Sequence, residues 1–209
     1  LPLNSLLGRV GLIGPIGPDA PDLLRTAIVL GLSAGISEGL MRVLTFWFLG
    51  RRGLVNRWSG GAMVGLGHGG IESMIIGAFT ALSVAGLFSL QGTDLSTLGL
   101  TSEQLAALEN QLAAVTTLSP AAFLPFVERL IAMALHVAVS LLVWLSFRRR
   151  NALFAVAGIL YHSLVDASLV YIGQFVTNPW LMEGILLLFL LPGLLLIGLT
   201  YRRYGAAEP

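Results

Sequence analysis

The sequence predicts an all-α, polytopic bundle of about five membrane-spanning helices, forming a single membrane domain over residues 1–209. Three observations lead there. Hydrophobic residues make up 56% of the 209 residues and charged residues only 11%, against about 25% charged in a soluble domain. Mean hydropathy is +0.84. The apolar residues also fall in five continuous runs, each reaching the ~20 residues that cross a bilayer as a helix. Such a composition excludes an ordinary soluble domain and a disordered chain. The lack of period-2 alternation excludes a strand barrel.

The runs are Leu23–Leu49, Gly61–Leu90, Ala121–Phe147, Ala152–Ile172 and Met182–Tyr201. Ahead of the first, Gly14, Pro15, Gly17 and Pro18 interrupt any helix, so the stretch to Pro21 reads as a loop or a broken re-entrant segment. The chain opens on Leu1 rather than Met, so a further N-terminal piece is expected, and no signal-peptide pattern is visible. Gly31, Gly35 and Gly39 form one GxxxGxxxG row and Gly61, Gly65 and Gly69 another. Rows of this kind let helix backbones approach closely. In the loop from Gln91 to Pro120, Thr101 and Gln104 fit a capping box. Leu105, Leu108, Leu112 and Val115 then recur at helical spacing. A short amphipathic helix over about 102–115 follows, lying on the membrane face or packed over the bundle top. No repeat of 20–50 residues and no linker divides the chain.

Arginine placement orients the bundle. All twelve basic residues are Arg. Arg51, Arg52 and Arg57 lie between the first two runs, Arg148–Arg150 between the third and fourth, and Arg202 and Arg203 after the fifth. Alternating spans bring all eight to one side. The other side carries Asp19, Asp22, Asp94, Glu103, Glu109 and Glu183, with Arg9 and Arg25. The positive-inside rule then places the N-terminus of the chain outside and its C-terminus in the cytoplasm.

Nine ionisable residues remain within the apolar runs: Glu38, Arg42, His68, Glu72, Glu128, Arg129, His136, His162 and Asp166. Every histidine of the chain is among them. An ionisable group at the centre of a spanning helix costs at least ~2.5 kcal/mol, so such groups face the bundle interior, pair with one another and mark function. Counted from the arginine-rich ends, Glu38, Glu72, His136 and His162 lie ~15–18 Å deep at 1.5 Å per residue, in one layer on four helices. His68 and Arg42 sit one turn nearer that end and Asp166 one turn beyond. Glu128 and Arg129 lie farther out. The i, i+4 pairs Glu38/Arg42, His68/Glu72, His136/Ser140 and His162/Asp166 share helix faces, where a carboxylate or hydroxyl can fix an imidazole's tautomer. Any one of these histidines alone would read as a satisfied structural residue. The convergence is what points to a site.

A carboxylate among histidines in a walled-off site suits activation of water, with Glu38 or Glu72 as general base and imidazoles stabilising a tetrahedral oxyanion. The same set could hold a single zinc ion through His68, His136 and His162, or work without a cofactor. The chain has no HExxH, no GxSxG and no Cys, which leaves zincin, serine-elbow, thiol and iron–sulfur chemistry without support. A proton-coupled transporter would also use a buried pair such as Glu38/Arg42, but no inverted repeat is visible.

Four segments, AGISEGLMRVLTF (Ala34–Phe46), GLGHGGIES (Gly65–Ser73), ERLIAMALHVAVS (Glu128–Ser140) and YHSLVDAS (Tyr161–Ser168), resemble the YhfC family of intramembrane peptidases. That family is similar to the CAAX-protease and bacteriocin-processing (CPBP) superfamily. The resemblance covers Leu23 to Ile172. It implies that Glu38 is the water-activating glutamate and Arg42 its arginine. It matches His68 and Glu72 to the second motif, His136 to the third-helix histidine, and His162 with Asp166 to the last motif. One departure is plain: the family's first motif usually has adjacent glutamates, and here Glu38 is followed by Gly39. The resemblance implies proteolysis in or near the bilayer, with a membrane-embedded or membrane-proximal peptide as substrate. The alternative is a non-catalytic scaffold or assembly subunit of a larger membrane complex. Nothing in the chain suggests nucleic-acid binding.

Overall fold

The computed structural model describes residues 2–117 and 120–206, and over these the chain is helical with no strand. Leu1 and Pro209, the ends of the expected domain, and Leu118 and Ser119 in the loop ahead of the third run, lie outside the described residues. Seven α-helices follow one another: α1 (Pro2–Arg9), α2 (Leu23–Gly50), α3 (Trp58–Ser89), α4 (Ser102–Thr116), α5 (Leu124–Arg149), α6 (Leu153–Ile172) and α7 (Pro179–Thr200). Five of them, with a 3-10 turn at Pro120–Phe123 leading into α5, are long and apolar enough to cross a membrane. Their bounds match the five apolar runs to within a few residues.

Helix α1 overturns one of the two readings of the stretch to Pro21, the plain loop, because Pro2–Arg9 is helical. Pro2 stands in its first turn, where a missing N–H costs nothing, and Gly11, at φ +74°, follows its last turn. The glycine and proline breaks act only downstream of that point. The Ser33 hydroxyl donates to Asn4 Oδ1 at 3.1 Å, which ties α1 to α2. Helix α4 begins with the expected capping box: Gln104 N–H donates to Thr101 Oγ1 and Thr101 N–H to Gln104 Oε1. Leu105, Leu108, Leu112 and Val115 form its half-buried stripe.

The glycine rows decide which helices pair. A Cβ added at Gly35 would stand 2.1 Å from Ser163 Oγ and 2.9 Å from the Ile159 carbonyl, both on α6. A Cβ at Gly65 would stand 2.5 Å from Val137 Cα on α5. So α2 lies against α6 and α3 against α5, backbone to backbone. Helix α5 is the central element, and it also touches α2, α6 and α7. Its Leu141, Val143 and Trp144 build one core with Phe46 and Val55, and its Ile131, Leu135 and Val139 build a second with Val165, Leu186 and Leu190. Helices α2 and α3, although consecutive, hardly touch. Large apolar residues such as Phe79, Leu82, Leu188 and Leu195 are more than 60% exposed, as lipid-facing positions are.

The three arginine clusters meet at one end. Arg148 donates to the Asn56 carbonyl at 3.4 Å, and Arg149 donates through Nε and Nη2 to the Tyr204 hydroxyl at 2.9 and 2.6 Å. Arg51 and Arg52 lie over the rings of Trp47 and Phe48. The α2–α3 connection is pinned there by buried Val55, whose carbonyl accepts from the Trp144 indole N–H at 2.9 Å.

Candidate active site

Glu38 and Arg42 stand one turn apart on α2, at mid-helix. The guanidinium of Arg42 is fully buried and serves three partners. Its Nη2 donates to Glu38 Oε2 at 3.1 Å and to His136 Nδ1 in a shorter contact, and its Nη1 lies 3.3 Å from His162 Nδ1. A guanidinium can only donate, so both Nδ1 atoms accept. In these neutral imidazoles the proton then sits on Nε2. The two Nε2 atoms meet carboxylates: His136 faces Glu72 Oε2 at 2.9 Å, and His162 faces Asp166 Oδ2 at 3.4 Å. One buried arginine thereby sets the tautomer of two histidines.

Glu38 Oε2 is the meeting point of the set. Besides Arg42 it lies 3.1 Å from His68 Nε2, 3.6 Å from His162 Nδ1 and 3.9 Å from His136 Nδ1. The rings of His68, His136 and His162 run in a row, with centroids 5.3 and 5.4 Å apart. The row has a closed side and an open side. Side chains of His136 and His162 are 4% and 5% exposed, whereas Glu38 and His68 are 29% and 27% exposed. Glu72 and Asp166 are open to a similar degree, at 34% and 28%, so His136 and His162 form the closed side and the carboxylates with His68 the open one.

All nine ionisable residues of the apolar runs fall in this network, although not every pairing is the expected one. His68 and Glu72 share a face of α3, but Glu72 reaches across to His136 on α5 instead of back to His68. Ser140 does not hold His136; its hydroxyl is buried without a hydrogen-bond partner among the described residues. Arg129 joins Glu72, at 3.6 Å, to Glu128, its neighbour in sequence, and so extends the site toward the far end of the bundle. Ligand atoms of Glu38, His68, Glu72 and His136 all lie within 4.8 Å of one another, a grouping that could hold a metal ion. His162 stands outside that group, so the trio His68, His136 and His162 is not the set whose ligand atoms converge.

Gly39 has a structural reason. A Cβ there would stand 2.3 Å from Ile159 Cγ1, so the position after Glu38 lies inside the α2–α6 contact and has no room for a second glutamate. A cleft of about 850 Å³ opens between α2 and α3 at the arginine-rich end. Arg42 and His68 line its inner end and the connection from Gly53 to Arg57 its rim. Sequence reasoning passed over this rim. The available signal was Gly67, which belongs to neither glycine row.

Fold and site together define a multi-pass membrane protein with a buried Glu/His/Arg centre of metal-ligating make-up. The profile of the YhfC intramembrane metalloprotease family matches residues 8–186, and the chain belongs to that family. It is similar to a protein of Bacillus subtilis (strain 168) described as an uncharacterized membrane protein YhfC, with 31% identity over 143 residues, 66% of this chain and 54% of that protein. The chain thus spans about half the length of this relative. No solved structure matches.

Proposed function

We infer that the chain hydrolyses peptide bonds in or near the bilayer, with Glu38 as general base. The observation that carries this reading is the convergence of two half-open carboxylates, Glu38 and Glu72, three imidazoles and a buried guanidinium at mid-helix depth. Glu38 would take a proton from water as the oxygen adds to the scissile carbonyl carbon. Arg42, one hydrogen bond away, offsets the negative charge that builds on the tetrahedral oxygen. The C–N bond then breaks, and the leaving amine takes the proton back from Glu38.

The donor set suits a divalent ion of the kind that the family's name implies. His68, Glu72 and His136 form the two-histidine, one-carboxylate combination of catalytic zinc centres, leaving Glu38 as base. Formal charge supports this: Glu38, Glu72, Glu128 and Asp166 outnumber Arg42 and Arg129 by two. When bound, such an ion supplies Lewis-acid polarisation and an acidified water. His136 would have to exchange tautomers to ligate through Nε2. Its proton would move to Nδ1, which lies 3.9 Å from Glu38 Oε2, and Arg42 would release that nitrogen. Glu72 also provides the second carboxylate that the first motif lacks at Gly39.

The test is cleavage of a fluorogenic transmembrane peptide by the purified protein in nanodiscs. Glu38→Gln should lower the rate by ~10²–10⁴-fold in protein that still unfolds cooperatively, at a temperature lowered by the loss of the buried Arg42 partner. A chelator should inactivate the protein and zinc restore it. Cleavage by Glu38→Gln at the native rate would overturn the assignment. Absence of cleavage, together with a cellular role that survives Glu38→Gln but not loss of the chain, would establish the scaffold reading.

A further inference from the structure

The cleft between α2 and α3 has features that hydrolysis alone does not explain. Its walls are mainly apolar, with Leu49 on one side, beside Thr45 whose hydroxyl is turned to the Met41 carbonyl, and Met63, Val64 and Ile71 on the other, and its inner end is Arg42 and His68, both bonded to Glu38. Its rim is built, not loose: Val55 is buried and held by Trp144, and a Cβ at Gly60 would stand 2.9 Å from the Leu54 carbonyl. Arg57 lines the mouth and is exposed. Unlike Arg51 and Arg52, which lie over aromatic rings, it has no charged or aromatic partner among the described residues. Gly67 lines the cleft beside His68, and a Cβ there would meet nothing within 4 Å. No helix contact requires this glycine, so a bulky side chain can be placed there to fill the cleft.

A second groove of about 890 Å³, between α3 and the outer half of α5, ends instead on Glu128 and Arg129. Those two are paired with each other, so it offers no unpaired charge.

We propose that the α2–α3 cleft binds an apolar peptide segment carrying an acidic residue toward the arginine-rich end, and that Arg57 selects it. The proposal rests on the hydrolytic reading for the place of the scissile bond. Arg57 and His68 are separated by eleven residues of chain, about 16 Å along a helix. An extended peptide covers that distance in about five residues at ~3.3 Å each. The acidic residue therefore lies about five residues from the scissile bond.

The test uses two biotinylated Leu/Ala peptides of membrane-spanning length, one ending in Asp-Glu and its twin in Lys-Lys. Both are presented in phosphatidylcholine nanodiscs, so that no anionic headgroup competes for Arg57. A benzophenone amino acid replaces Met63 in the cleft or, separately, Met74 in the outer groove. The acidic peptide should be captured at position 63 about fivefold more than its twin, and Arg57→Glu should reverse the preference. Gly67→Trp should reduce capture about tenfold, while Gly77→Trp, in the outer groove, leaves it unchanged. Equal capture at 63 and 74, or a preference that survives Arg57→Glu, overturns the proposal. Arg57 is exposed, so that arm stands even if Gly67→Trp does not fold. Capture needs no hydrolysis, which separates the two failures. Charge-selective capture without cleavage overturns the peptidase reading and keeps the cleft; cleavage that Gly67→Trp does not impair overturns the cleft and keeps the peptidase.

Discussion

Gly35→Ala tests whether helix contact holds the site in register. The added Cβ would stand 2.1 Å from Ser163 Oγ, 2.8 Å from Ser163 N and 2.9 Å from the Ile159 carbonyl, where ordinary contact begins at 3.4 Å. The hydroxyl can rotate away, since it has no hydrogen-bond partner among the described residues. The backbone atoms cannot, so α2 and α6 must part by about 0.5 Å. Overpacking of this size costs ~1–3 kcal/mol. The same shift carries Arg42 from His162, lengthening a 3.3 Å contact past the range of a hydrogen bond. Displacements below 1 Å in a catalytic group lower rates by ~10–100-fold. Thermal unfolding in detergent and peptide cleavage, measured on the same preparation, read both effects. Gly67→Ala is the control: its Cβ enters open space, and exchange of a mid-helix glycine for alanine should stabilise by about 0.5–1 kcal/mol. If Gly35→Ala unfolds and cleaves like the native protein, the close approach of α2 and α6 does not hold the site.

Three further outcomes are expected. His162→Ala removes one of the partners that position Arg42 and should lower cleavage by ~10²-fold or more, whereas Asp166→Asn, which still accepts from His162 Nε2, should lower it about tenfold; equal losses would mean that Asp166 acts directly. The chain has no Cys, so single cysteines at exposed Ser102 and Asn151 should be labelled by an impermeant maleimide from opposite faces of a sealed vesicle, with Ser102 outside. Labelling of both from one face would overturn the orientation drawn from the arginines. Trp144→Phe removes the donor to the Val55 carbonyl and should cost about 1 kcal/mol, with faster hydrogen exchange confined to Arg51–Arg57; exchange that spreads through α5 would mean that the indole supports the core rather than the rim.

The layer of polar residues was legible because helix rise is fixed. Counting from the arginine-rich ends set Glu38, Glu72, His136 and His162 at one depth, and their side chains meet there. The glycine rows were legible as close-packing faces, but not as a choice of partner, since GxxxG states that something approaches without saying what. Local spacing misled at Glu72. Its i−4 neighbour His68 was available on the same face, yet its carboxylate reaches His136, because α3 is pressed against α5 at Gly65 and Gly69. Helix α1 was hidden by the breaks that follow it. The cleft left only Gly67 as a trace, because a gap is made by the divergence of two helices and no residue encodes it alone.

The pairing of helices explains why the site lies where it does. Glycines of α2 bind it to α6, and glycines of α3 bind it to α5. Glu38 and Arg42 thus belong to one pair with His162, and His68 and Glu72 to the other with His136. The bonds from Glu38 to His68 and from Arg42 to His136 cross the seam between the pairs. Close packing fixes each pair internally, while α2 and α3 hardly touch and leave a cleft between them. A seam between two close-packed helix pairs is where a membrane protein can expose ionisable groups to an incoming chain without exposing them to lipid all round. The two most accessible members of the histidine row and its hub, His68 and Glu38, are bonded directly across that seam.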